Sequence, residues 1–419
     1  MYGMRRFGII LGLETIGTIL EGLGNPQDTF SAIHIAGTNG KGSIASTLST
    51  ILQQAGYRVG LYTSPHLIRF NERIRINGTP ILDEDVVASW EAVKSVHPGD
   101  REPTFFEYAT AMAFHEFGRQ GVDYAVIETG MGGRMDATNV VSPVVTVITN
   151  ISLEHKNYLG DTIAQIAGEK AGIIKPSIPV VSGVNQKNAK AVIEQTAAER
   201  SAPVYMRGRD FRVRRRTNGR FSYWGIDHKW TGMHTGLIGH HQVDNAALTL
   251  AACELLKQNG IDLSRENIQA GLILNHWPGR IDVVSENPFV VLDGAHNIMA
   301  ARRLRNYLEE TLAGRRITMV AGILDDKPFE TILKDLLLPC TRLIVTQAKI
   351  DRSLPTETIE AAARPLISKI EIVPDVAEAT RHAIATSAPE DAVCVAGSLY
   401  VVGEAKAMLE DAGSALFQL

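Results

Sequence analysis

Short apolar runs alternate with stretches of helical spacing through the first two-thirds of the chain. The apolar runs predict β-strands at residues 33–35, 59–62, 124–128, 144–149 and 180–182. The segments between them carry apolar residues three and four positions apart and predict helices at residues 106–117, 162–171 and 189–200. Strands that alternate with helices are typical of a mostly parallel sheet covered by helices. The pattern therefore predicts an α/β fold.

The alternation changes twice further along the chain. From about residue 204 to residue 231, aromatic residues are interleaved with arginine, threonine and glycine, which predicts a small antiparallel appendage to the sheet. A polar turn at residues 285–288 is followed by strand-like runs at 289–292, 317–321, 343–346, 370–373 and 393–396. We therefore predict a first domain over residues 1–284 and a smaller, Rossmann-like C-terminal α/β domain over residues 285–419.

Composition narrows the classes of function. The chain has 419 residues, of which 45% are hydrophobic and 21% charged, as in ordinary soluble proteins. A net charge of −4 gives no indication of a nucleic acid partner. Cys253, Cys340 and Cys394 lack the spacing of a metal motif. No apolar run has the length of a membrane span, and the N-terminal segment lacks the features of a signal peptide, so we expect a cytoplasmic protein without a membrane partner.

A glycine-rich loop after the first predicted strand gives the strongest indication of function. Residues 36–43 read Ala-Gly-Thr-Asn-Gly-Lys-Gly-Ser and open a helical segment at residues 44–52. Glycines let backbone N–H groups approach phosphate oxygens, the helix N-terminus adds a partial positive charge, and Lys41 adds a formal charge. The order of strand, loop and helix therefore predicts nucleoside triphosphate binding. A tight turn that only packs a helix on a sheet would explain the glycines but not Lys41.

Polar residues at other strand ends are candidate metal ligands. Glu128 ends a predicted strand and is a candidate for Mg²⁺, although a dinucleotide-binding loop after that strand is the alternative. His155 follows another strand as a candidate metal ligand or general base, with a structural role as the alternative. Ser64 leaves a third strand just ahead of a proline, which favours an extended backbone. Lys170, at a helix end, has the alternative of an ordinary solvated lysine.

The predicted C-terminal domain also has polar residues directly after a strand. Asp293 and His296 follow the strand at residues 289–292, and Arg280 precedes it in the sequence Trp-Pro-Gly-Arg. A guanidinium is suited to a phosphate or to the face of a purine. Two α/β lobes with such residues imply a cleft in which substrates can be kept from water.

Six motifs in this chain resemble those of the folylpolyglutamate synthase and dihydrofolate synthase branch of the Mur ligases, and the resemblance covers nearly the whole chain. They occur in that family's order: G-T-N-G-K-G-S, T-S-P-H-L, E-T-G-M-G-G-R-M-D-A-T-N, G-E-K-A-G-I-I-K, W-P-G-R and L-D-G-A-H-N. The second and third motifs point to the folate branch rather than to the peptidoglycan enzymes. The resemblance implies a P-loop, Mur-ligase-like central domain followed by a C-terminal domain that closes over the active site.

The resemblance also implies roles for individual residues. The ATP site would comprise Thr38, Asn39, Gly40, Lys41, Gly42, Ser43, Asn245, Arg280, Asp293 and His296. Ser64 and Glu128 would hold one Mg²⁺, His155 would hold a second, and Lys170 would be carbamylated into a further ligand. The catalytic residues would be Lys41, His155 and Lys170. The pterin-bearing substrate would lie against Leu11, Gly12, Leu13, Thr104, Phe105, Phe106, Met135, Asp136 and Ala137.

The chain departs from the family at one position, because the acid before His155 is Glu154, where an aspartate is common. We expect the longer side chain still to orient His155.

The activity implied is ATP-dependent addition of L-glutamate, through an acyl phosphate, to dihydropteroate and to the glutamate tail of tetrahydrofolate, by a monomer. A folylpolyglutamate synthase alone, or a Mur-type ligase for another amino acid, is the alternative within this class. A P-loop switch protein and a non-catalytic folate or nucleotide binding protein are the alternatives outside it.

Overall fold

The computed structural model describes residue 10, residues 12–216 and residues 219–413. They form two compact units. The first unit contains the chain up to Pro65, Phe70–Gly236 and Gln242–His276, and the second contains His66–Arg69, Leu237–His241 and the chain from Trp277 onward. Within these described residues, no helix combines the length and the apolar character needed to cross a membrane.

The first unit is built on an eight-stranded sheet in the order β4-β3-β2-β5-β1-β6-β7-β8. Its strands are β1 (Ser31–Ala36), β2 (Val59–Tyr62), β3 (Ile74–Ile76), β4 (Thr79–Pro80), β5 (Tyr124–Glu128), β6 (Pro143–Ile148), β7 (Val180–Ser182) and β8 (Val204–Met206). The helices are α1 (Glu14–Gly22), α2 (Lys41–Gln54), α3 (Asp83–Lys94), α4 (Phe105–Gln120), α5 (Lys156–Leu159), α6 (Ile163–Ala171), α7 (Lys187–Glu199), α8 (His240–Gln258) and α9 (Arg265–Leu274). The neighbouring strands in the part of the sheet ordered β2-β5-β1-β6-β7-β8 all pair in parallel, which confirms the predicted mostly parallel α/β fold.

Strand β1 lies at the centre of this sheet, between β5 and β6. Its pairing places Ile35 opposite Glu128 on one side and Val147 on the other. Because parallel strands end at the same edge of a sheet, the loops after β1, β5 and β6 must be neighbours. This adjacency brings three of the predicted motifs together.

Helix α2, which follows β1, is held in place by α9. Gly271 allows this close packing, since a Cβ there would lie 2.5 Å from the Cα of Ile51. At the end of α9, the Asn275 side chain accepts a hydrogen bond from Ser46 and donates one of 2.8 Å to Thr47 Oγ1. All three of these polar side chains are buried, so α2 is fixed by polar contacts as well as by packing.

The predicted appendage is a separate antiparallel sheet of β9 (Arg212–Arg215), β10 (Phe221–Trp224) and β11 (Lys229–Met233). The predicted start near residue 204 was wrong, because residues 204–206 form β8 and pair in parallel with β7 in the large sheet. An apolar three-residue run cannot by itself distinguish a parallel from an antiparallel strand. Tyr223 stacks on Trp230 in the small sheet, with ring centroids 5.5 Å apart.

The small sheet is tied to α8 by the buried carboxylate of Glu254. One oxygen accepts hydrogen bonds from Tyr223 Oη (2.7 Å) and the Ile226 N–H (2.8 Å). The other accepts from the backbone N–H groups of Asp227 (3.3 Å) and His228 (2.7 Å). A buried carboxylate is stable only when its oxygens are satisfied in this way.

We expect Glu254→Ala to lower the free energy of unfolding by about 3 kcal/mol, because one phenol and three backbone N–H groups lose their acceptor. Glu254→Gln keeps one oxygen and should cost roughly half as much. Urea unfolding followed by tryptophan fluorescence measures both values. Glu199→Ala, an exposed residue at the end of α7, is the control. Equal stabilities of the Glu254→Ala and Glu199→Ala variants would contradict this assignment.

The second unit has a six-stranded sheet in the order β12-β13-β17-β14-β15-β16, which is parallel except for β12. Its strands are β12 (Asp282–Glu286), β13 (Phe289–Leu292), β14 (Ile317–Ala321), β15 (Arg342–Val345), β16 (Ile370–Ile372) and β17 (Ala392–Ala396). Its helices are α10 (Ile298–Thr311), α11 (Phe329–Leu337), α12 (Thr356–Ala363), α13 (Val376–Ala385) and α14 (Leu399–Ala412). The boundary predicted between residues 284 and 285 falls inside β12, because β12 pairs with β13 as an antiparallel edge strand.

Candidate active site

The glycine-rich loop links the end of β1 at Ala36 to the start of α2 at Lys41, as predicted. Gly40 has a φ of +90°, and a Cβ there would lie 2.6 Å from Asn245 Oδ1. Both the backbone conformation and the lack of space therefore require glycine at this position. The first N–H groups of an α-helix have no partner within the helix, and a helix that begins directly after a glycine loop, as α2 does, is an arrangement that binds phosphate.

The segment after β6 holds the loop in shape. The backbone carbonyl of Asn150 accepts a hydrogen bond from the Thr38 N–H (2.9 Å), and Asn150 Oδ1 accepts one from the Asn39 N–H (3.1 Å). Asn150 Nδ2 and Thr149 Oγ1 each donate to the Asn39 carbonyl at 2.7 Å. Thr38 Oγ1 accepts from the Ser152 N–H at 3.0 Å. Sequence reasoning did not assign Asn150 this role, and only its position at a strand end could have suggested it.

Lys41, Glu128 and Ser64 lie together at this edge of the sheet. Lys41 Nζ donates to the carbonyls of Gly37 (3.0 Å) and Thr38 (3.3 Å) and lies 3.9 Å from Glu128 Oε1. Glu128 Oε2 accepts from the Ser64 N–H at 3.2 Å. The structure therefore brings the predicted phosphate-binding lysine and the two predicted ligands of one metal ion to the same place.

Lys170 is not a solvated lysine but is almost fully buried in α6. Its Nζ donates to the Gly37 carbonyl (3.0 Å) and to Glu154 Oε1 (2.9 Å). Burial lowers the pKa of Lys170, an effect that Glu154 opposes and Lys41 reinforces. Burial alone would raise the pKa of Glu154, but the charges of Lys170 and Lys41 outweigh it and lower that pKa to about 2.

The ion pair of Glu154 with Lys170 is a role that the sequence did not predict. A buried ammonium requires a charged partner of this kind. The charge of His155 also helps to lower the pKa of Glu154, and the orienting role of Glu154 toward His155 stays a prediction. His155 is the residue before α5, with a left-handed backbone (φ 48°).

Asn245 reaches the glycine loop from α8. Besides its contact with Gly40, Asn245 Nδ2 donates to Gln242 Oε1 at 2.8 Å, and Gln242 Nε2 donates to Ser43 Oγ at 3.4 Å. Gln242 was missed by sequence reasoning. The available signal was its position three residues before Asn245, which places both side chains on the same face of the helix.

The predicted folate-binding residues come from several elements. Thr104 caps α4, with its Oγ1 accepting from the Glu107 N–H at 3.2 Å. Phe105 packs edge-on against Phe70 (6.1 Å between centroids), and Phe106 lies tilted against Tyr62 (6.0 Å). Gly12 and Leu13 precede α1, while Leu11 lies outside the described residues.

The loop after β5, residues 130–136, carries the remaining predicted folate contacts and is closed by Asp136. The buried carboxylate of Asp136 accepts from the Met131 N–H at 2.8 Å and from the N–H and Oγ1 of Thr138 at 3.0 and 2.6 Å. Burial raises the pKa of Asp136, and these hydrogen bonds oppose that rise. Gly130 packs against the ring of Phe106, since a Cβ there would lie 2.5 Å from its Cζ. Met135 and Ala137 flank Asp136 in the sequence.

Arg280, Asp293 and His296 lie in the second unit. Burial raises the pKa of Asp293 to about 6, although nearby Arg280 and the N–H of Ile281 (2.8 Å) oppose the rise. Gly294 leaves room for Arg280, because a Cβ there would lie 2.7 Å from a guanidinium nitrogen. His296 Nδ1 is 2.7 Å from the Gly294 carbonyl. Within this unit the three predicted residues therefore occupy one strand end.

The candidate metal ligands fit Mg²⁺ better than a metal ion that takes most of its ligands from protein side chains. Among the described residues, no group of three or more His, Cys, Asp and Glu side chains is arranged to hold a metal ion. Mg²⁺ commonly takes one or two carboxylates and completes its octahedron with waters and substrate phosphates. Glu128, which accepts from the backbone N–H of Ser64 beside the glycine loop, is consistent with that pattern.

Known protein families match both parts of the chain. Residues 35–253 match the Mur ligase middle domain, and residues 279–399 match the glutamate ligase domain of Mur ligases. The Bacillus subtilis dihydrofolate synthase/folylpolyglutamate synthase is 42% identical over 348 residues, which is 80% of this chain and 81% of that protein. The Lacticaseibacillus casei folylpolyglutamate synthase is 36% identical over 407 residues, covering 94% and 93%.

Solved structures agree with the sequence relatives. The structure of Escherichia coli FolC in complex with DHPP and ADP has a TM-score of 0.90 at 31% identity and covers 97% of this chain and 95% of its own. A Thermotoga maritima folylpolyglutamate synthase has a TM-score of 0.86 at 38% identity, covering 98% and 96%. The fold and the site thus define a Mur ligase. The chain belongs to the dihydrofolate synthase and folylpolyglutamate synthase family of the Mur ligases, which confirms the resemblance found in the sequence.

Proposed function

We propose that this protein is an ATP-dependent ligase that adds L-glutamate to dihydropteroate and to the glutamate tail of tetrahydrofolate. The observation that carries this proposal is the group of Lys41, Glu128, Ser64 and Lys170 around one glycine loop. Relatives whose names combine the two synthase activities support the choice of substrates. So does the Escherichia coli enzyme, whose structure holds DHPP and ADP.

In the proposed reaction, the folate carboxylate attacks the γ-phosphorus of ATP, an acyl phosphate forms and ADP leaves. The α-amine of L-glutamate then attacks the acyl carbon, and phosphate is expelled. Lys41 and the N–H groups at the start of α2 would stabilise the negative charge on the transferred phosphoryl group. Asn150 holds the loop that precedes α2 by accepting from the backbone N–H groups of Thr38 and Asn39.

Ser64 and Glu128 would hold one Mg²⁺ and His155 the second, and Mg²⁺ supplies charge neutralisation on the phosphates. The Yersinia pestis relative, whose structure contains AMPPNP and a Mn ion, supports the use of nucleotide with a divalent metal. The ATP contacts of Thr38–Ser43, Asn245, Arg280, Asp293 and His296 are also part of the proposal.

We further propose that Lys170 is carbamylated in the active enzyme. Its Nζ would first lose one proton to become a neutral amine, then form a bond to the carbon of CO₂ and release a second proton, so that an ammonium becomes an anionic carbamate that can act as a metal ligand. The lowered pKa of Lys170 supports this step, because only the neutral amine reacts. The step also breaks the ion pair with Glu154, so the new negative charge must be balanced by a metal ion.

Phosphate release from Mg-ATP and L-glutamate tests the function directly. The reaction is run with dihydropteroate, with tetrahydrofolate, and with neither. Release with both folates is the expected result, and release with tetrahydrofolate alone would reduce the function to that of a folylpolyglutamate synthase. Steady release with neither folate would contradict a ligase and favour a P-loop switch protein.

We expect Glu128→Gln to raise the Mg²⁺ concentration needed for half-maximal activity by about 10–100-fold, because an amide oxygen is a much weaker ligand than a carboxylate. Titration of Mg²⁺ at saturating ATP and folate measures this shift. Glu199→Gln, an exposed glutamate far along the chain, is the matched control. An unchanged Mg²⁺ requirement in the Glu128 variant would show that the metal is held elsewhere.

A further inference from the structure

A buried histidine, His34, lies in β1 three residues before the glycine loop and was not predicted to have a function. Its side chain is fully buried, and its Nε2 lies 2.8 Å from Thr138 Oγ1. Thr138 Oγ1 in turn donates to Asp136 Oδ1 at 2.6 Å. His34, Thr138 and Asp136 therefore form a continuous chain of hydrogen bonds from the central strand to the 130–136 loop.

The direction of these hydrogen bonds defines the protonation of His34. The Thr138 hydroxyl has a single proton, and it is donated to Asp136, so Thr138 must accept from His34. Nε2 of His34 therefore carries the proton and Nδ1 is a bare acceptor. Burial, reinforced by the charge of Lys175, lowers the pKa of His34 to about 3 and keeps the ring neutral.

The other ring nitrogen of His34, Nδ1, argues against a purely structural role for this histidine. Among the described residues, His34 Nδ1 is one of the few buried side-chain atoms without a hydrogen-bond partner. A buried acceptor without a partner is destabilising, and an apolar side chain of similar size would avoid that cost. An apolar residue could not, however, replace the hydrogen bond that His34 Nε2–H donates to Thr138.

The series of hydrogen bonds from His34 ends at Asp136, which lies at the proposed folate site. Asp136 also accepts from the Met131 N–H, which closes the 130–136 loop, and the start of that loop packs on Phe106 through Gly130. We propose that His34 is a positioning residue for the folate substrate, because its Nε2–H orients Thr138 and, through it, Asp136 and the 130–136 loop. This inference rests on the proposed function, in which Asp136 and Phe106 receive the pterin.

The test compares His34→Leu, which removes the donor, with His34→Gln, whose amide nitrogen can replace Nε2. We expect His34→Leu to raise the KM for dihydropteroate about tenfold while the KM for ATP stays within about twofold, which corresponds to the loss of one buried hydrogen bond. His34→Gln should restore most of the folate affinity. Equal effects on both substrates, or an unchanged folate KM, would overturn the inference.

A second measurement does not depend on turnover. Hydrogen exchange at the amides of Met131 and Thr138, which Asp136 protects, should accelerate in His34→Leu and remain slow in His34→Gln. Unchanged exchange in His34→Leu would overturn the positioning role whatever the enzyme's substrates are. Faster exchange in a protein whose parent turns over neither folate would retain the role and refute the proposed function instead.

Two further experiments cover the remaining outcomes. ¹⁵N NMR of the wild-type imidazole should show a neutral ring protonated at Nε2, and the opposite tautomer would overturn the assignment. If His34→Leu does not fold, Thr138→Val is measured instead. It replaces threonine by an isosteric side chain and removes the hydroxyl that links His34 to Asp136. It should raise the folate KM and not the ATP KM, and the reverse would overturn the inference.

Discussion

Lys41→Ala is expected to abolish ATP-dependent ligation, with a loss in kcat of at least about 10²–10³-fold. The lysine is the formal positive charge at the glycine loop, and its Nζ is held by the Gly37 and Thr38 carbonyls. No other side chain in the loop from Gly37 to Ser43 carries a positive charge. Single-turnover phosphate release with dihydropteroate, Mg-ATP and L-glutamate measures the effect on the chemical step.

The fold should survive the Lys41→Ala change. Lys41 is the first residue of α2, where alanine is well tolerated, and its side chain is partly exposed. Lys187→Ala is a closely matched control, since Lys187 is also the first residue of a helix, α7, but is exposed and follows no glycine loop. Near-normal turnover of the Lys41 variant would show that the phosphate-binding loop had been assigned wrongly.

Lys170→Arg is expected to be almost inactive, with kcat reduced by about 10²-fold or more, if the active form of Lys170 is a carbamate. Arginine keeps the positive charge and can still pair with Glu154, but its guanidinium does not react with CO₂. The substitution therefore separates a requirement for a cation at this position from a requirement for an anionic ligand. Steady-state turnover with saturating Mg²⁺ measures the loss.

A spectroscopic measurement on the wild type complements this variant. After equilibration with ¹³C-labelled bicarbonate, the enzyme should show a carbamate carbon signal that Lys170→Arg lacks. Lys170→Met combined with Glu154→Gln removes both charges and is the stability control, because a single Lys170→Met would leave a buried carboxylate without its main partner. A fully active arginine variant would contradict carbamylation and leave Lys170 a structural cation.

The Lys41 loop and the Glu128 strand end illustrate what could be predicted locally. Each depends on a strand followed directly by a loop, so the spacing of apolar residues located both. The segment at residues 204–231 shows the opposite case. Its aromatic pattern identified the antiparallel sheet of β9 to β11, but the short run at residues 204–206 gave no sign that β8 pairs with β7.

The sequence by itself determined the α/β class, the phosphate-binding loop, the polar strand ends and the family, because these features depend on residues near one another in the chain. Tertiary structure decided which strand ends are neighbours, since strand order is set by long-range pairing. Only that order brings Asn150 against the loop, buries Lys170 beside Glu154 and connects His34 with Asp136. Such contacts join residues more than a hundred positions apart or depend on burial, and neither is encoded in local spacing.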